Sequence, residues 1–230
     1  LASLSDATIA RQSQRFFKTG KGDYAEGDRF RGIRVPVLRR VAQSCAGMPL
    51  GETLRLLRSR YHEDRLVALI VMVQARAAGD QAAQQRIARA YLGNLEYVNN
   101  WDLVDSSAPY ILGAHLLHRS RSRLYRLARS RSVWERRVAI IATAQFIRHG
   151  EAAETLRIAA MLLADEHDLI HKAVGWMLRE VGQRCDARLL RDFLDAHAAR
   201  MPRTMLRYAI EHFAPNERQR YLKMKSGRMR

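Results

Sequence analysis

The chain has 230 residues, 47% of them hydrophobic, enough for a sizeable core, and it carries a formal charge of +17 with a pI near 10.9. That charge predicts a polyanionic partner, which for a soluble protein points to nucleic acid. The longest strongly apolar run, Leu66 to Val73, is far too short to span a bilayer, no signal-peptide pattern opens the chain, and Cys45, Cys185 and the eight histidines form no metal-ligand cluster. These features predict a cytoplasmic protein with no membrane partner, no metal and no cofactor.

Along the chain, residues 1–50 hold N-terminal helices and a loop, residues 51–222 hold repeats, and a basic, frayed tail covers 223–230, all within one domain spanning 1–230. The Thr19–Gly32 stretch carries Gly20, Gly22, Gly27 and Gly32 but lacks the Gly-x4-Gly-Lys-Ser/Thr run of a phosphate-cradling loop, so it joins the first helix to the body. Tyr24 and Phe30 are its candidates for touching a ligand. Pro36 suits the first turn of a helix over Val35 to Ala46, which stops near Gly47. Leu54, Leu57 and Tyr61, then Leu66, Leu69, Ile70 and Val73, fall at the spacing of two amphipathic helices. Asn99 and Asn100 are placed to cap a helix beginning at Trp101, Gly79, Gly113 and Gly150 mark helix ends or turns, and Pro202 opens the last repeat. No alternating stretch argues for a strand. The expected fold class is all-α.

A short phrase recurs in HEDR-LVAL, NNWD-LVDS, WERR-VAII, LIHK-AVGW and TMLR-YAIE. Its marks at Arg65, Asp102, Arg137, Lys172 and Arg207 are 37, 35, 35 and 35 residues apart. A fixed period in this range predicts an α-solenoid of stacked helical pairs, each burying its apolar face on the next, with a concave basic groove. Four marks are cations, and one register tends to recur on one wall. The second repeat breaks the pattern: Asp102 replaces the cation, and Asp105 takes a place filled elsewhere by Ala68, Ile140, Gly175 and Ile210.

On a helix Trp101 and Asp105 share one face, one turn apart. Trp176 stands four residues beyond Lys172, and Arg137 marks the repeat between. If the register marks share a wall, two indoles, a carboxylate and guanidinium groups converge. Each also has a plain structural explanation: Trp101 and Trp176 as core, Asp105 as an ion-pair partner, Arg137 as a solvated cation. A groove so equipped suits a purine made cationic by alkylation at N3 or N7. Breaking its N-glycosidic bond moves positive charge to the sugar, where a carboxylate stabilises it and can position water. Indole faces favour both cations. Lys172, Arg203 and Arg207 are candidate phosphate contacts.

The strings NNWDLVD (99–105), VWERRVAI (133–140) and HKAVGWMLRE (171–180), with GDYAEGDRFRGIRVPVLRR (22–40) and MPRTMLRYAIEHF (201–213), resemble the AlkD-like family of DNA alkylation repair proteins. The likeness covers nearly the whole chain. It implies a right-handed HEAT-like solenoid that hydrolyses alkylpurine glycosidic bonds in duplex DNA without flipping the lesion into a deep pocket. It also implies that Asp105 is the catalytic carboxylate, that Trp101 and Trp176 flank the lesion, that Arg137 holds the DNA beside it, and that Arg39 contacts phosphate. A solenoid that takes duplex in its groove needs no second subunit, so a monomer is expected. The competing expectations are a non-catalytic solenoid binding distorted or branched DNA, and a protein-binding scaffold.

Overall fold

The computed structural model describes residues 1–224, so most of the expected basic tail lies outside the described residues. Those residues are all-α, and no strand occurs among them; a single isolated bridge pairs Arg29 with Tyr61. The chain divides into two compact units, one ending at His115 and one starting at Leu116.

The first unit contains α1 (Ala7–Phe16), α2 (Val35–Ser44), α3 (Leu50–Leu57), α4 (His62–Ala78), α5 (Gln81–Leu92) and α6 (Trp101–Ala108). Asp6 caps α1 by accepting from the N–H groups of Thr8 and Ile9 at 2.8 and 2.9 Å. Helix α2 starts and stops as the sequence predicts, with Pro36 in its first turn and Gly47 at positive φ beyond its end. Tyr61, expected inside a helix, instead precedes α4 in extended conformation. Helix α4 packs against α2, α3, α5 and α6, and its run from Leu66 to Leu69, with Val71 and Met72, is buried on every side. A helix that is apolar all round belongs at the centre of its layer.

The first turn of α4 is equally buried although it is wholly polar: His62, Glu63, Asp64 and Arg65 are each 2–4% exposed. The residues between Asp28 and Ile33 account for this. Glu63 accepts from the backbone N–H groups of Arg31, Gly32 and Ile33 at 2.8, 2.7 and 3.2 Å, and Asp64 takes the Arg31 guanidinium in a bidentate pair at 2.7 and 2.8 Å. Arg65 donates to Asp28 at 2.7 Å. Gly32 has φ +80° and a Cβ there would lie 2.0 Å from the Asp6 carbonyl oxygen, so only glycine lets the loop pass the start of α1. Arg65, expected on an exposed cationic wall, is therefore a buried loop anchor.

Helix α6 does not end at Gly113. Pro109 brings no N–H to the helical ladder, and the chain takes a π-helical turn over Pro109–Gly113 before a last short α7 (Ala114–Leu116), at which the division between the units falls.

The second unit continues with α8 (Ser122–Ala128), α9 (Val133–Ala142), α10 (Ala144–Arg148), α11 (Ala153–Met161), α12 (Asp168–Arg184), α13 (Ala187–His197), α14 (Arg203–Ala209) and α15 (Pro215–Lys223). Helix α12 is its hub, in contact with α9, α10, α11, α13 and α14. A Cβ on Gly175 would lie 2.4 Å from the Met205 carbonyl oxygen and 2.5 Å from the Tyr208 Cβ, so the glycine permits the close approach of α14. The places that correspond to Asp105 in the other repeats, Ala68, Ile140, Gly175 and Ile210, are all buried, whereas Asp105 is only partly so.

Candidate active site

Helix α6 carries the acidic repeat, and its start is held from several directions. Asn100, fully buried, caps it as expected, its side-chain oxygen accepting from the Trp101 N–H at 2.8 Å. The Trp101 indole is partly buried against α1: it stacks on Phe17 at 5.3 Å between centroids and 23° between planes, and meets the edge of Phe16 at 5.9 Å. Phe17 in turn stacks on Phe30 at 5.1 Å, and both rings lie within 5 Å of His62. Offset aromatic contacts of this kind add about 0.5–1.5 kcal/mol each beyond the area they bury.

Asp102 has a definite partner. Its carboxylate lies 2.7 Å from His62 Nε2, while His62 Nδ1 faces Asp28 at 3.4 Å. Burial lowers the His62 pKa, but the Asp102 charge and hydrogen bonds to Asp102 and Asp28 outweigh it, and the imidazole is pushed up to about 9. At neutral pH the ring is a cation between two carboxylates. Asp28 also carries a burial cost, more than offset by its hydrogen bond to His62 and the Arg65 charge, so its pKa falls. The residue that replaces a cation in the second repeat is thus the counter-ion of a buried histidine.

Asp105 stands one turn after Trp101, on the same face of α6. Tyr91, fully buried, shares a 3.0 Å hydrogen bond with Ser107 of the same helix, which also donates to the Leu103 carbonyl at 2.6 Å. Burial raises the Tyr91 pKa, and the negative charge of Asp105 raises it further. The phenol stays neutral. Of the other candidates in this unit, Arg39 is exposed on α2, and Tyr24 is partly buried in the loop between α1 and α2.

In the second unit, Arg137 is 5% exposed on α9 and donates to the Leu169 carbonyl at 2.5 Å, reaching the first turn of α12. Its neighbour Arg136 grips Asp165 at 2.6 and 3.3 Å. Trp176, partly buried, donates its indole N–H to Glu180 at 3.1 Å. Burial would raise the Glu180 pKa, but hydrogen bonds from Arg184 and Trp176 hold it below the usual range. Lys172 pairs with Asp168 at 2.7 Å on an open face, and Arg203 and Arg207 are exposed on α14. The cations at the repeat marks therefore split into buried anchors, Arg65 and Arg137, and surface groups, Lys172 and Arg207.

Sequence reasoning missed His62, Asp28, Phe16 and Phe17. A signal did exist for the first: four polar residues opening an otherwise apolar helix must be covered by something.

No group of His, Cys, Asp and Glu able to hold a metal occurs among the described residues, and no helix among them is long and apolar enough to cross a membrane. The arrangement is that of a basic helical-repeat protein with a carboxylate and an indole one turn apart. Residues 1–213 match the family model described as "DNA alkylation repair enzyme", and the chain belongs to that family. The family points to DNA alkylation repair, with DNA as the partner. In fold the chain is similar to a predicted DNA alkylation repair enzyme from Enterococcus faecalis, with a TM-score of 0.68 at 16% identity, over 92% of this chain and 97% of that one. A comparison with curated proteins returns no match.

Proposed function

We propose that the protein is a glycosylase that hydrolyses the N-glycosidic bond of cationic N3- and N7-alkylpurines in duplex DNA. The observation that carries this is the placement of Asp105 on α6, where it shares a face with the Trp101 indole one turn away. An alkylpurine leaves with the electrons of its glycosidic bond and becomes neutral, so no acid is required. Positive charge passes to the sugar, where the Asp105 carboxylate stabilises it and orients the water that adds to C1′. Trp101 offers a π-face to the cationic nucleotide, an attraction of roughly 0.5–2 kcal/mol absent for a normal one. In the same unit Tyr24 contacts substrate and Arg39 takes a phosphate; in the second unit Trp176 offers a further indole to DNA and Lys172, Arg203 and Arg207 take phosphates, while Arg137, a buried donor to the Leu169 carbonyl, holds the start of the helix that carries Trp176.

The test is release of methylated purine from methylated duplex by wild type and Asp105→Asn. Wild type should release base, and the variant should be slower by about 10²-fold or more, as for loss of one preorganised electrostatic group. A folded variant as fast as wild type would remove Asp105 from the mechanism. A wild type that binds damaged duplex and releases no base would leave the non-catalytic binder.

A further inference from the structure

Phe16 is the most exposed large hydrophobic side chain among the described residues, at 66%, and it closes the last turn of α1. Burying a phenyl ring is favourable, and this position forgoes much of that gain. The neighbouring Phe17 shows that burial was open to the segment, since it fills the space between Trp101 and Phe30. Phe16 instead stands edge-on to the Trp101 indole at 5.9 Å and to Phe17 at 5.0 Å, which fixes its orientation without covering it. With Ile9, Gln12 and Ser13, spaced along one face of α1, it lines a cavity of about 460 Å³ whose other wall includes Arg34, Val35 and Pro36. Arg34 of that wall is exposed, as are Arg15 and Lys18, which lie within two residues of Phe16 in the chain. The two carboxylates that line the cavity, Glu63 and Asp102, are engaged by backbone N–H groups and by His62.

An exposed aromatic ring held in place, with exposed cations close by in the chain and on its cavity, is the equipment of a surface that stacks on a nucleic-acid strand, the cations following the backbone while the ring meets a base or sugar. We infer that Phe16 is a further substrate-contacting residue, which packs against the DNA strand beside the nucleotide met by Trp101. The inference rests on the proposed reading only in taking damaged duplex as the ligand. A merely structural Phe16 would need cover that the unit does not supply.

The experiment places benzoylphenylalanine at position 16 in the full chain, with the same probe at exposed Leu4 as control, and irradiates each with duplex carrying one N-methylpurine. A cross-link from position 16 to the lesion strand, above the Leu4 control, is expected; its absence overturns the contact and turns attention to an acidic protein as the partner of this surface. In parallel, Phe16→Ala should slow single-turnover excision by about tenfold, the scale of one lost aromatic stack, while Phe16→Trp retains activity. If Phe16→Leu is as fast as wild type, bulk rather than a ring is needed and the contact is overturned. Cross-linking by a chain that releases no base would sink the glycosylase reading and leave the contact standing; excision without cross-linking would do the reverse.

Discussion

The hub helices of the two units, α4 and α12, are each 17 residues long, yet they begin in opposite ways. The first turn of α4 is polar and sealed beneath the Asp28–Ile33 loop, so Arg65 at the repeat mark spends its charge on Asp28. The first turn of α12 is open, with Asp168 and Lys172 side chains 56% and 42% exposed, so the cation at the same mark faces solvent. A repeat register fixes where a residue stands on its helix. Whether that place is surface or interior depends on what lies over it.

The comparison can be broken most sharply at Arg65. Arg65→Ala leaves buried Asp28 with His62, at 3.4 Å, as its remaining charged partner and should cost about 3 kcal/mol, read as a lowered midpoint in urea unfolding. A loss below about 1 kcal/mol would mean that the turn is not sealed. Next comes Glu63→Gln, which keeps the shape but loses a charged acceptor for the backbone at 31–33, at a cost of about 1–3 kcal/mol in the same measurement. The pH dependence follows. Because the fold raises the His62 pKa from 6.5 to about 9, with Asp28, Asp102 and Arg65 facing the ring, its stabilisation is complete below pH 6.5 and is lost as pH rises toward and through 9. Melting temperature across that window should fall for wild type and flatten for His62→Gln; parallel curves would mean the histidine is neutral in the fold. The smallest effect belongs to the open turn. Lys172→Ala should change stability by less than about 1 kcal/mol, while the log–log salt slope of duplex binding flattens by about one unit. An unchanged slope would remove Lys172 from the phosphate contacts.

Much of the fold was legible because its signals are local. The helical spacing of apolar residues, the Asn100 cap, the Pro36 start and the Gly47 stop each act within a turn or two of the residue that encodes them, and the period of the repeats shows as a plain recurrence in the sequence. The π-helical turn was not legible, because Gly113 reads as a stop and nothing nearby shows that the chain stays helical past it. The candidate site divided along the same line. Trp101 and Asp105 share a helix face by spacing alone, and α6 holds them so. The fate of Arg65 was hidden because Asp28 lies far away in sequence, and the role of Phe17 because its partners Trp101 and Phe30 come from two other segments. Arg137 illustrates the practical consequence: it is a buried donor to Leu169, so any loss of activity in Arg137→Ala must be read beside a stability measurement.

The closed places equivalent to Asp105 limit how this molecule can change. Transplanting the acidic residue to Ala68, Ile140, Gly175 or Ile210 would drive an ionised group into a packed interior, and at Gly175 even a methyl group collides with the Met205 backbone. On the proposed role of Asp105, point substitution therefore cannot build a second reactive centre in another repeat or slide the proposed one along the chain. A lineage that lost the acid at 105 would have no spare rung on which to regain it, and reversal at that single codon would be its simplest way back.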